Sequence, residues 1–274
     1  MGCFLSMKLH GRTPVLPDYN EAGNGPTIIF IPGMEGHKEF WRFQQAALST
    51  SYRTIAVSLV CRSTSSGARV ADYAADIILL MDRLEIEKAV IVGESFGGMV
   101  TQELATSHPD RVAAIALCNT MDKPRFDHFG LNIFTLASFV HMLAFAMPMG
   151  TRRPMLRWVG RHRGFVMDPT PGNEALIDYL LAYGTVHGLR ASFNRIIAAS
   201  KMRYLDRLKE LRIPSLILRG TEDRVVSLKT MERMRDAIPG ATMALIVGGG
   251  HCCQITMPDE TNKALREWLA TIGV

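Results

Sequence analysis

The chain is poor in cysteine, and what it has is odd in number: Cys3, Cys61, Cys118, Cys252 and Cys253, five in 274 residues. An odd set with neither C-x-x-C nor Cys/His ligand spacing offers no disulfide framework and no metal site. The reading is reduced thiols in a cytoplasmic protein, with no metal and no cofactor expected. The N-terminus lacks the apolar length and small-residue cleavage site of a secretory signal. Met1-Gly2-Cys3-Phe4-Leu5-Ser6 does fit a brief myristoylation pattern with an acylatable cysteine. Long apolar runs are also scarce. Leu131 to Met149 approaches the ~20 residues of a membrane span, but Asn132, Thr135, Ser138 and His141 interrupt it, and no stable span is expected. There is no Walker loop or dinucleotide fingerprint. No recognition motif or stacking platform points to nucleic acid.

What is present is a rhythm. Apolar runs at Thr27 to Ile31, Thr54 to Leu59 and Ala89 to Val92 read as buried parallel strands. Between them, Glu39 to Leu48 and Val70 to Leu84 read as helices, the second with an apolar stripe of Tyr73, Ile77, Ile78, Leu80, Met81 and Leu84. A helix to about Ser107 and a strand ending at Cys118 follow. The rhythm then breaks. Residues 121–203 carry helical patterns without a convincing strand, and strand-and-turn segments resume at Ile213 to Leu218 and Ala244 to Val247. The division is a core of 1–120 with 204–274, and an inserted helical cap of 121–203. A hydrophobic fraction of 47% is ample for such a core.

Gly93-Glu94-Ser95-Phe96-Gly97 stands where the strand at Ala89 to Val92 gives way to a helix. In that context G-x-S-x-G is a nucleophile elbow, a turn so tight that a side chain at position 93 or 97 would strike the neighbouring strand or helix. A serine hydroxyl needs a base, and the base needs an orienting acid. Arg219-Gly220-Thr221-Glu222-Asp223 follows one later strand, and Gly248-Gly249-Gly250-His251 follows the next. Among eight histidines, His251 and His37 lie in strand-end loops. Asp223 is preferred over Glu222 for its place after the turn glycine, with a surface ion pair as the plainer role for either. Cys252-Cys253 behind the base is read as loop packing before redox chemistry.

With these residues in place, the chain resembles the serine hydrolases of the α/β-hydrolase superfamily, from about Val15 to the C-terminal helix. The resemblance implies a mostly parallel central sheet flanked by helices, with the helical cap as an insertion. It implies Ser95 as nucleophile, His251 as base and Asp223 as its acid. It also implies the Met34 and Phe96 backbone N–H groups as oxyanion donors, since Ile31-Pro32-Gly33-Met34 occupies the place of the family's His-Gly turn. Two departures are Pro32 for that histidine and Ser58-Leu59-Val60-Cys61-Arg62-Ser63 for the usual Asp-x-Arg-Gly-x-Gly turn. An elbow serine excludes the epoxide and haloalkane hydrolases, which use aspartate.

The expected activity is cleavage of a carboxylic ester with an apolar acyl or alcohol group. Gly33, His37, Phe134 and Met142 are assigned to the substrate pocket. Alternatives on the same residues are a carrier-protein-bound acyl methyl ester esterase, a cofactor-free perhydrolase or carbon–carbon bond hydrolase, and a ligand receptor. Residues 121–203 hold eleven Lys and Arg against five Asp and Glu, +6 in a chain of net +5. Arg152, Arg153, Arg157, Arg161 and Arg163 cluster there. A solvated helix face explains such a run, or else attraction of an anionic substrate or an acidic carrier protein.

Overall fold

The computed structural model describes residues 13–60, 68–123, 147–165, 167–183 and 188–274. Among them the strands are β1 (Tyr19–Ala22), β2 (Thr27–Ile31), β3 (Arg53–Val57), β4 (Ala89–Glu94), β5 (Val112–Cys118), β6 (Ser215–Gly220) and β7 (Thr242–Ile246). They form one sheet in the order β1-β3-β2-β4-β5-β6-β7. Every pairing is parallel except that of β1 with β3. The helices are α1 (Arg42–Leu48), α2 (Val70–Arg83), α3 (Phe96–Ser107), α4 (Met149–His162), α5 (Glu174–Ala182), α6 (Gly188–Ser200), α7 (Leu205–Leu208), α8 (Leu228–Ala237), α9 (Cys253–Thr256) and α10 (Pro258–Thr271).

Strand alternation sorts the apolar side chains into two cores. Ile29, Ile31, Ile55, Ile91, Ile115 and Ile217 point to one face, where α2, α3 and α8 cover them. Ile28, Phe30, Val90, Val92, Ala116 and Leu218 point to the other, where Leu176 of α5 and Leu265 and Trp268 of α10 meet them. Each fully buried isoleucine or leucine stabilises the fold by about 1.5–3 kcal/mol. Covering both faces is what a parallel sheet requires, and it explains why β2, β4 and β5 read as continuous apolar runs.

The expected strands and helices of the core are present, with boundaries shifted by one or two residues. The helix placed at Glu39 begins as a 3-10 turn, Lys38–Trp41, before α1. Strand β1, Tyr-Asn-Glu-Ala, escapes a reading based on hydrophobicity because it is a polar edge strand. Between β5 and β6 the described elements are helical, α4 to α7. No helix among the described residues is long and apolar enough to cross a membrane. Most of the apolar run from Leu131, with Phe134 and Met142, lies outside the described residues, as do Gly2, Cys3 and Cys61.

Candidate active site

Ser95 sits between β4 and α3 at φ +51°, a conformation that costs a non-glycine residue about 1–3 kcal/mol. The turn holds it there from both sides. Its N–H donates to Cys118 O at 3.0 Å, and its carbonyl accepts from the Thr120 hydroxyl at 2.6 Å. The flanking glycines are required by close approach. A Cβ on Gly93 would lie 2.3 Å from Thr101 Oγ1, and one on Gly97 would lie 2.2 Å from Ile31 O. Phe96 is the first residue of α3, where the N–H groups have no partner inside the helix. Met34 lies in the loop after β2, which is closed by a bond from Gly36 N to Gly33 O at 3.1 Å.

The turn after β6 brings Asp223 to His251. Asp223 Oδ2 lies 2.9 Å from His251 Nδ1, and Oδ1 accepts from the N–H groups of Val225 and Val226 at 2.7 and 3.0 Å. Both side chains are buried. Glu222, by contrast, points to solvent. Burial alone would lower the His251 pKa. The Asp223 carboxylate and its hydrogen bond to the ring outweigh it, with Glu94 and Glu35 adding, and the ring is pushed up to about 9. On the far side of the ring, Nε2 lies 3.2 Å from Glu94 Oε1. Burial holds the Glu94 carboxyl well above the usual carboxylate range. His251 opposes that rise, and Glu35 and Asp223 add to it. A Cβ on Gly33 would come within 2.2 Å of Glu94 Oε2, so Gly33 leaves room for this carboxyl beside Ser95.

Sequence reasoning did not single out three further residues that organise the site. Asn119, at φ +42° just past β5, donates from Nδ2 to His251 O at 2.9 Å, and its Oδ1 accepts from Gly220 N at 2.9 Å. One carboxamide thus ties the His251 loop to the Asp223 turn. Its signal was a polar Asn-Thr pair ending a buried strand beside the elbow. Arg195, fully buried on α6, donates from Nη1 to Met34 O at 2.5 Å and from Nη2 to Leu59 O at 3.2 Å. The third is Glu94. It was visible only as the variable residue of the elbow motif.

The remaining expected site residues fall as follows. His37 caps the 3-10 turn, its Nδ1 accepting from Glu39 N at 3.3 Å, and stacks on Tyr183 just past α5 at 4.4 Å. Burial lowers its pKa, against the pull of Glu39. Cys252 and Cys253 are buried free thiols whose pKa values rise, chiefly through burial, which favours packing over reactivity. The basic cluster divides. Arg152 is buried, Arg161 pairs with Glu174 at 2.8 Å, and Arg153, Arg157 and Arg163 are exposed. The excess charge of this segment is therefore only partly a surface property.

Comparison with known proteins agrees with this architecture. The family model described as the alpha/beta hydrolase fold matches residues 26–258. A proposed carbamate hydrolase, RutD, of Caulobacter sp. (strain K31) is 27% identical over 92% of this chain and 95% of its own length. An esterase from Thermogutta terrifontis superimposes with a TM-score of 0.76 at 20% identity, covering 94% of each chain. The meta-cleavage product hydrolase of Pseudomonas fluorescens IP01 does so at 0.73 and 25%, covering 93% of this chain and 94% of its own.

Proposed function

The chain belongs to the α/β-hydrolase fold family, and from that premise we propose that it is a serine hydrolase acting on carboxylic esters. One observation carries the reading. A strained elbow serine and a buried Asp223–His251 pair, its two partners 2.9 Å apart, lie in the loops past the C-terminal ends of the parallel strands β4, β6 and β7. Ser95 Oγ bonds to the acyl carbon while its proton passes to His251 Nε2. The carbonyl oxygen becomes an oxyanion, held by the Met34 and Phe96 N–H groups. The tetrahedral intermediate collapses, the C–O bond to the alcohol breaks, and Nε2 returns the proton to the departing oxygen. Water then enters the reverse sequence and frees the acid and Ser95. Asp223 keeps the ring oriented with Nδ1 toward it throughout.

The inserted helices serve as a cap on the substrate, a role supported by the stacking of Tyr183 on His37 and by Arg195 on the Met34 loop. The buried thiols support a reducing, cytoplasmic setting. The Caulobacter relative's name favours a second reading, cleavage of a carbamate by the same acyl transfer. A chain-length series of p-nitrophenyl esters beside a p-nitrophenyl carbamate, with Ser95→Ala as control, decides between them. Repeated turnover of esters is expected. Faster turnover of the carbamate favours the second reading, and absence of turnover on both favours a ligand receptor.

A further inference from the structure

His251 is held between two carboxyl groups. Asp223 meets Nδ1, and Glu94 Oε1 meets Nε2 at 3.2 Å. Nε2 is the nitrogen that must take the Ser95 proton, and it has one lone pair in the ring plane. While it shares a proton with Glu94 it cannot accept one from Ser95. The contact is built in. Glu94 is buried at the end of β4, and its second oxygen fills the space a side chain at Gly33 would need. We propose that Glu94 is a positioning residue that keeps a shared proton on His251 Nε2, so that the resting site is blocked and the base is freed only when that proton leaves. The proposal rests on the Ser95–His251–Asp223 reading.

The block does not depend on which partner holds the proton. As imidazolium and carboxylate, the ring and Glu94 form an ion pair with Nε2 and Oε1 3.2 Å apart. As neutral ring and neutral acid, the Glu94 O–H donates to Nε2. In both cases the pair titrates as a unit. Loss of one proton to water leaves Nδ1–H on Asp223, and sets a bare Nε2 lone pair against the Glu94 carboxylate. Those two repel, and the lone pair is released toward Ser95 Oγ. Other groups around the pair set the level at which this happens. Glu35 comes from the loop after β2, Tyr179 from α5 and Arg195 from α6, with Cys252 next in the chain. Asp168 packs against Gly250 from the loop whose Met167 carbonyl accepts the His251 N–H at 2.6 Å. Asp223 and Glu35 favour keeping the extra proton, and burial, which lowers the ring's affinity for it, raises that of the Glu94 carboxyl.

The test compares wild type with Glu94→Gln and Glu94→Asp. The first readout is the pH profile of Ser95 acylation by a fluorophosphonate. The second is the ring NMR titration of His251, assigned by its loss in His251→Asn. Wild type should react slowly on the acid side and rise through the titration of the pair. In Glu94→Gln both midpoints should fall by about one pH unit or more, since an opposite charge at this distance shifts a pKa by about 1–3 units. Glu94→Asp should stay near the wild-type midpoint. Unmoved or raised midpoints in a folded Glu94→Gln protein overturn the proposal. If that variant does not fold, the carboxyl ¹³C signal of Glu94 and the ring of His251 are titrated in wild type. A common midpoint supports the proposal and independent midpoints overturn it. Failure of the probe to label Ser95 at any pH counts against the nucleophile instead, and the ring titration, which needs no turnover, still decides Glu94.

Discussion

The turns past the ends of β4, β6 and β7 and the helices inserted between β5 and β6 position the site in different ways. Asp223 and Ser95 are each held by paired bonds from the core, within the turn itself or from the end of β5 and the loop after it. Asp223 accepts two N–H groups of its own turn, and Ser95 is pinned at both its N–H and its carbonyl. The inserted segment acts through a few long-range contacts, chiefly Arg195 on Met34 O and Leu59 O, and Met167 O on the His251 N–H. Bonds made in pairs within the core survive the loss of one member. Contacts that are distant and few can be cut one at a time, so the segment's influence on the site is separable from the chemistry.

The sharpest way to break this comparison is at the elbow. Ser95→Ala should keep the fold and lower ester hydrolysis by about 10⁴-fold or more. A clean preparation retaining a tenth of the activity would remove the nucleophile from the turn after β4. Asp223→Asn should cost about 10³-fold, because the ring loses its orienting acceptor, whereas Glu222→Gln should stay within about threefold. A larger loss in Glu222→Gln would reverse the assignment of the acid.

Arg195→Met separates the two regions more finely. It strips donors from two buried carbonyls, and thermal unfolding should show about 2–4 kcal/mol of lost stability. If the guanidinium also steadies the Met34 loop, kcat should fall about tenfold with little change in KM. An unchanged kcat would confine Arg195 to stability. The smallest effect is expected from changing Arg153, Arg157 and Arg163 together to Gln. A neutral short ester should be hydrolysed within about twofold of wild type at any salt. An anionic ester or an acidic carrier protein should lose rate at low salt, and should lose its salt dependence, because steering is screened beyond roughly 8 Å at 0.15 M. Equal salt dependence before and after the change would leave those arginines as a solvated face.

Much of this was legible in the chain. Buried parallel strands must be apolar throughout, so β2, β4, β5 and β6 announced themselves, and the glycines around Ser95 marked a turn with no room for side chains. β1 was hidden because this edge strand is polar. Arg195 was counted as one positive charge among eleven in its segment, since nothing local distinguishes a guanidinium that folds inward from one in water. Asp122 was counted among the segment's negative charges, yet it is buried against Arg233 of α8. Asn119 looked like the end of a strand, because the partners of its carboxamide lie more than a hundred residues away.

By itself, then, the sequence determined the strand and helix order, the elbow, and the placing of Ser95, Asp223 and His251 just past strand ends. Those features depend on periodicity and turn chemistry within a few neighbours. Only the tertiary structure decided what surrounds the imidazole: Glu94 on Nε2, Glu35 buried nearby, the insertion's carbonyl on the backbone of His251, and Arg195 behind the Met34 loop. Their effects come from burial and from distances between residues remote in the chain. A carboxyl group has the same letter in water and at 3.2 Å from a buried ring, but its proton affinity is set by which of the two it meets.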